Sequence, residues 1–178
     1  MRDGVTLLAL VAVLLVLAPH AGAAGGSERF VVPDLPGPPG WKTQRDPQHP
    51  DAMLLENAQN EKDKVRIESL VGAPESLAEI RMALDAPGKA SCAVFDTTTL
   101  HDRPVGGYAR LVWRTDCTKA DGSKGTFLNL AVRGREALHL AMKIWQFEVP
   151  ESEVAPWLAR FERASVCDPS AGRPCPAQ

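Results

Sequence analysis

The alternation of apolar and polar residues is clearest over residues 90–117, where it predicts two antiparallel β-strands joined by a turn. Opposed residues in an antiparallel pair have a constant sum of residue numbers, so a register that pairs His101 with Tyr108 also pairs Cys92 with Cys117. Directly opposed residues lie close enough for a disulfide. The register therefore predicts a Cys92–Cys117 bridge across the two strands.

This register also divides the hairpin into two faces. The face expected to point into the core carries both cysteines together with Val94, Thr98, Leu100, Leu111 and Trp113. The face expected to point outward carries Phe95, Thr97, Thr99, Arg110, Val112 and Arg114. A slip of one residue, or a bulge, would exchange the two faces of a strand.

Shorter runs on either side predict the remaining elements. Strands are expected at residues 53–56, 65–71, 127–133 and 137–147, with a candidate edge strand at 29–32. Helical spacing of apolar residues predicts helices over 74–86 and 154–165, and the second has Val154, Trp157, Leu158 and Phe161 as its expected buried stripe. In the segment 135–144 a helix is the alternative, because Arg135-Glu136-Ala137-Leu138 favours helix, whereas the alternation and the aromatic end favour a strand.

These elements predict an α+β fold. It consists of an antiparallel sheet of about five to seven strands with two flanking helices, held by disulfides. The single α+β domain is expected at 51–168, followed by a C-terminal tail at 169–178. Residues 24–50 are rich in proline, which predicts an extended lead-in with Trp41 as its anchor; a disordered spacer is the alternative.

The N-terminus has the pattern of a signal peptide over residues 1–23. Arg2 precedes the apolar run Val5–Leu17, and Ala21-Gly22-Ala23 matches a signal peptidase site. An uncleaved anchor is the alternative, but the run is shorter than the ~20 residues of a spanning helix. We therefore expect an exported protein, periplasmic or extracellular, without a membrane span after cleavage.

Export explains the four cysteines, all of which follow the signal. In an oxidising compartment an even number predicts disulfides. Cys167 and Cys175 are expected to pair, because the Pro, Gly and Ser residues between them favour a turn. Metal binding is the alternative, but the close spacing typical of a zinc site is missing, and we predict no metal and no cofactor.

The net charge and the absence of catalytic motifs limit the function classes that the sequence supports. Twenty basic and 22 acidic residues give a net charge of −2, without the basic excess of a nucleic-acid-binding protein. The sequence contains no Gly-x-Ser-x-Gly, no Gly-rich phosphate loop, no His-Glu-x-x-His and no Cys-x-x-Cys. No catalytic residue is therefore predicted, and the oligomeric state is left open.

Two functions are consistent with these patterns. The first is a non-catalytic binding or assembly protein for a protein or a small apolar ligand. Its expected interaction surface comprises Phe95, His101, Tyr108, Trp145 and Phe147. The second is a hydrolase with a site assembled from loops near His101, Asp102 and Tyr108.

The order of elements resembles a known group. The chain has a signal, a Pro39-Gly40-Trp41 entry, two strands, a helix, a meander with two cysteines, and a helix that runs into Val166-Cys167-Asp168. This layout is similar to that of small exported bacterial proteins of uncharacterised function with a PsbP-like α+β sandwich. The resemblance implies a sheet flanked by helices, in a fold used for binding and assembly, and it assigns no functional residue.

Overall fold

The computed structural model describes residues 28–37, 39–45, 52–71, 76–172 and 175. Its strands are β1 (Arg29–Val31), β2 (Trp41–Arg45), β3 (Met53–Asn57), β4 (Asn60–Val71), β5 (Val94–Asp102), β6 (Ala109–Thr118), β7 (Lys124–Arg133), β8 (Ala137–Trp145) and β9 (Ser165–Cys167). Its helices are α1 (Leu77–Ser91) and α2 (Glu151–Arg163), and a short 3-10 turn follows at Pro169–Ala171. The predicted signal peptide lies outside the described residues.

Seven strands form one antiparallel sheet in the order β2-β3-β4-β8-β7-β6-β5, and β1 pairs with β9 in a separate two-stranded sheet. The predicted α+β fold is confirmed. Strand β8 lies at the centre of the large sheet, between β4 and β7, so the helical alternative for residues 135–144 is wrong. Both faces of β8 are covered, and its pairing on both sides overrides the helix preference of Arg135-Glu136-Ala137-Leu138.

The larger core lies between the sheet and α2. Val154, Trp157 and Phe161 form the buried stripe of α2, as the sequence predicted. They pack against inward-facing residues of the sheet and of the small β1–β9 sheet, among them Leu55, Val65, Val112, Leu128, Leu130, Trp145 and Val166. This face of the large sheet is therefore closed.

The smaller core lies on the opposite face, under α1. Ile80 packs there against Leu111, Trp113, Leu138 and Leu140. The helix begins with a capping box, in which the Ser76 side chain accepts from the Glu79 backbone and the Glu79 side chain accepts from Ser76. It was expected to end at Ala86, but it continues through Pro87 and Gly88 to Ser91.

The β5–β6 register differs from the predicted one. Phe95, rather than Cys92, faces Cys117, and a bulge interrupts the pairing between Thr99 and His101. The expected faces of β5 are therefore exchanged: Phe95, Thr97 and Thr99 lie on the α1 side. The two-residue turn Gly106–Gly107, with φ of 61° and 80°, closes the hairpin beyond the expected strand ends.

The predicted disulfides Cys92–Cys117 and Cys167–Cys175 are both present. Cys92 is the C-cap residue of α1, so the first bridge joins the end of the helix to β6 rather than two opposed strand residues. Its Cα–Cα distance of 5.5 Å fits the bridging range. The predicted pairing was correct, although the register that suggested it was not.

The proline-rich lead-in contributes to both sheets. β2, which the proline pattern did not predict, pairs with β3 at one edge of the large sheet, and β1 forms at the expected edge-strand position. The charged segment 57–64, which separates the two predicted strands 53–56 and 65–71, contains only the tight turn Ala58–Gln59; β4 already begins at Asn60.

Within the described ranges, no helix is both long and apolar enough to span a bilayer.

Candidate ligand-binding site

A cavity of about 270 Å³ lies between the last turns of α1 and the sheet. Its apolar walls come from Leu84, Pro87, Phe95, Phe127 and Met142, and its polar lining from Asp85, Ser91, Thr115 and Asn129. The volume is near the lower end of the roughly 300–1,000 Å³ typical of small-molecule sites. The cavity exists because α1 continues beyond its predicted end and covers the C-terminal end of β6 and the N-terminal part of β7.

The Cys92–Cys117 disulfide forms part of the cavity wall. It fixes the distance between the C-terminus of α1 and β6, which are the two sides of the cavity. Gly88 lets the helix approach closely at this point, since a Cβ there would lie 2.4 Å from a ring carbon of Phe95. The helix end, the bridge and the aromatic ring thus hold the cavity open in one shape.

The floor of the cavity contains Asp85, which is only 4% exposed. Its carboxylate accepts from the Trp113 indole at 3.1 Å and from the Thr115 hydroxyl at 3.3 Å. On its other oxygen it accepts from Thr97 at 3.3 Å, and Arg81 lies at 3.5 Å. A buried carboxylate needs such partners, and here they fix it in place rather than leave it free as a general base.

The structure distributes the five expected surface residues over different places. Phe95 lines the cavity, whereas Trp145 is 3% exposed in the larger core and Phe147 packs against that core. Tyr108 is 4% exposed, so the expected outward position of Tyr108 and Trp145 is wrong. The exchange of β5 faces and the cover by α2 explain the difference, and of the expected set only Phe95 belongs to this site.

The residues of the alternative hydrolase site are also separated. His101 contacts Glu162 of α2, while Asp102 lines a second cavity on the α1 side. Tyr108 lies in the larger core, where its hydroxyl hydrogen-bonds Glu28. Because His101, Asp102 and Tyr108 do not meet in one site, the geometry does not support the hydrolase hypothesis.

Sequence reasoning missed a buried cation on the α2 face, Lys143, whose side chain is 1% exposed. Its ammonium lies 4.8 Å from the ring centres of Trp41, Trp145 and Trp157, which we call the tryptophan cage, and it contacts the Asp63 carboxylate. Each indole face attracts a cation. The alternation placed Lys143 and Trp145 on one face, and that shared face was the available signal.

Burial is the main influence on Lys143 and lowers its pKa to about 7. Arg160 acts in the same direction, and Glu153 opposes it. The contact with Asp63 also favours the charged form. Because this ammonium is shut off from solvent, the tryptophan cage is a structural device that links β2, β8 and α2.

A second buried polar group surrounds His139, which is 2% exposed. Its Nδ1 is hydrogen-bonded to the Ser69 hydroxyl at 2.8 Å, its ring stacks on Phe30, and Glu28 lies 3.7 Å from its Nε2. The combination of serine, histidine and carboxylate resembles a hydrolase triad in composition. The ring is covered, however, so a substrate cannot reach it as it stands.

Glu28 instead fastens the N-terminal strand to the sheet. Its carboxylate accepts from the backbone N–H groups of Arg135 at 2.7 Å and Glu136 at 2.9 Å. Burial acts to raise the pKa of Glu28, but these hydrogen bonds and the one from Tyr108 outweigh it and lower that pKa. Burial lowers the pKa of His139, which favours the neutral ring.

No family model and no curated protein matches the sequence. Among solved structures, cyanobacterial PsbP (CyanoP) from Synechocystis sp. PCC 6803 matches with a TM-score of 0.50 and 10% identity, over 82% of this chain and 94% of that protein. LpqN of Mycobacterium tuberculosis, described as involved in cell envelope biogenesis, gives a TM-score of 0.48 and 14% identity over 82% and 87%. PA94 of Pseudomonas aeruginosa, a protein of unknown function, gives 0.47 and 10% over 88% and 89%.

The match to CyanoP supports the PsbP-like fold that the order of elements suggested. At 10% identity it supports the fold alone, because one fold hosts many functions.

Proposed function

We propose that this protein is an exported, non-catalytic binding protein that holds a small, largely apolar molecule in the cavity under α1. The single observation that carries the proposal is the cavity itself, with its apolar walls and buried polar floor. Concave sites that combine apolar lining with a few fixed polar groups are typical of ligand binding.

The disulfides and the N-terminal pattern support export. Both bridges are of the kind that persists in an oxidising compartment, and residues 1–23 have the pattern of a signal peptide. A cavity whose wall includes one of these bridges is preformed in the folded protein. A preformed site loses less conformational entropy when a ligand binds.

The lining favours binding over catalysis. Asp85, the acidic residue that lines the cavity, is held by its four partners, and the Ser91 hydroxyl donates to the Pro87 carbonyl at 2.8 Å. A nucleophile needs an adjacent base within hydrogen-bond reach. Among the described lining residues, no serine has such a base beside it, and both cysteines are joined in a disulfide. The Thr115 hydroxyl does reach Asp85, but that carboxylate is already engaged by Trp113, Thr97 and Arg81.

The proposal predicts that filling the cavity abolishes binding. Met142→Phe places a ring in the cavity, whereas Ile144→Phe makes a comparable change two residues further along the same face of β8, outside the lining. With octan-1-ol as the probe, isothermal titration calorimetry should show binding to the wild type and to Ile144→Phe. Met142→Phe should bind at least about tenfold more weakly, or ~1.4 kcal/mol.

Circular dichroism should confirm that both variants are folded. Equal affinity of the wild type and Met142→Phe for octan-1-ol would contradict the proposed site. Absence of binding to the wild type would contradict the proposed function.

A further inference from the structure

The cavity under α1 has a basic mouth. A neighbouring cavity of about 270 Å³ shares Cys117, Lys119 and Phe127 with it, so the two adjoin at these residues. The rest of its lining consists of Lys62, Ser123, Lys124, Gly125 and Gln146. Three lysines and no carboxylate line this second cavity, in a protein whose net charge is −2.

The fold fixes the backbone of these lysines. Lys119 closes the β6–β7 turn, where its N–H donates to the Ser123 carbonyl at 2.8 Å and its carbonyl accepts from Gly122 at 3.0 Å. The Lys62 carbonyl accepts from the Gln146 N–H at 2.9 Å, which ties the start of β4 to the end of β8. Both side chains therefore start from defined positions at the rim.

The lysines differ in whether a carboxylate already holds them. Lys124 is paired with both oxygens of Glu148 at 2.9 Å. In the described part of the chain, no carboxylate lies within ion-pair distance of the Lys62 or Lys119 amine. Asp121, on the same turn as Lys119, accepts from the Ser123 hydroxyl at 2.7 Å and its N–H at 2.9 Å. These bonds lower the pKa of Asp121, and the nearby charge of Lys119 adds to the lowering without forming an ion pair.

We propose that the ligand is a small anionic amphiphile, with an apolar body in the cavity under α1 and a single acidic group at Lys62 and Lys119. This inference rests on the proposed function and adds the chemical class of the ligand. Charge complementarity favours an anion. The apolar walls exclude water around the body of the ligand, and Lys62 and Lys119, neither of them in an ion pair with a described residue, line the adjoining cavity where the body would emerge.

Matched probes of equal chain length test this class. Octanoate and octan-1-ol carry the same number of carbon atoms and differ in the charge of the head. By calorimetry the wild type should bind octanoate about fivefold more tightly, as expected for two exposed ion pairs. The double variant Lys62→Gln/Lys119→Gln should lose this preference and keep its affinity for octan-1-ol.

Lys42→Gln provides the charge control, since Lys42 is an exposed lysine on β2, which three other strands separate from β7 in the sheet. It should retain the preference for octanoate. Equal affinity of the wild type for the two probes, or a preference that survives in the double variant, would overturn the inference and leave the proposed function standing. Failure of the wild type to bind either probe would overturn both.

Discussion

Lys143 shows how a single charged residue can be part of a core. Its ammonium lies among three indoles and against Asp63, at the junction of β2, β8 and α2. Cation–π attraction and the ion pair offset part of the cost of removing the charge from water. Burial nevertheless lowers the pKa of Lys143 to about 7, with Arg160 acting in the same direction.

This environment predicts a pH-dependent stability. The pKa of Lys143 in the folded protein, about 7, is below the value of roughly 10.4 in an unfolded chain. Between these values the unfolded state binds more protons, so the free energy of unfolding should rise as the pH increases from 7 to 10. The rise attributable to Lys143 should be on the order of 3 kcal/mol, with Asp63 reducing it.

Urea unfolding at several pH values from 7 to 10 measures this effect, with Lys143→Met as the comparison. The variant should lack the rise, because methionine does not titrate. The same pH profile in both proteins would show that Lys143 is not responsible.

At the scale of elements, the C-terminal part of α1 decides where the cavity forms. Pro87 and Gly88 lie inside this helix, although both residues disfavour a helix interior. The disulfide at the C-cap residue and the contact of Phe95 with Gly88 hold the last turn in place. Tertiary contacts thus extend the helix beyond the point at which local preferences end it.

The two disulfides should therefore have different roles in binding. Cys92→Ala/Cys117→Ala should lower the free energy of unfolding by about 3–4 kcal/mol, and Cys167→Ala/Cys175→Ala by roughly 2.5 kcal/mol, from loop entropy. Only the first pair lines the cavity, so only its removal should also weaken octan-1-ol binding at a temperature where both variants are folded. Equal binding by the two variants would contradict a role of the first bridge in shaping the cavity.

Hydrophobic periodicity predicted those helices and strands whose buried residues follow the repeat of the helix or the strand. The α2 stripe and the central strand β8 were correct because burial alternates there with the period of the backbone. The sequence allowed a bulge in the hairpin but did not place it near Leu100, and it predicted that α1 ends before Pro87; both features depend on distant contacts. The cavity requires both features, so its site could not be derived from the sequence, although Phe95 was among the expected interaction residues.

For the molecule as a whole, the two faces of the large sheet differ. The α2 face is closed by α2 and by the β1–β9 sheet, and it encloses the larger core. On the other face α1 packs over β6, β7 and the start of β8, while ion pairs such as Lys64–Glu56 and Arg66–Glu68 lie on β3 and β4. The proposed ligand site lies at the border between the covered and the open part of this second face.

The most direct test of this account is an NMR titration of protein labelled with ¹³C at the methionine methyl groups. Met142 lines the cavity, Met53 packs against the larger core on the other face, and Met82 lines the separate cavity between α1 and β5. On titration with octan-1-ol, the Met142 signal should shift and saturate while the Met53 and Met82 signals stay unchanged. A shift of Met82 or Met53 in its place, or no shift of Met142, would contradict the proposed site.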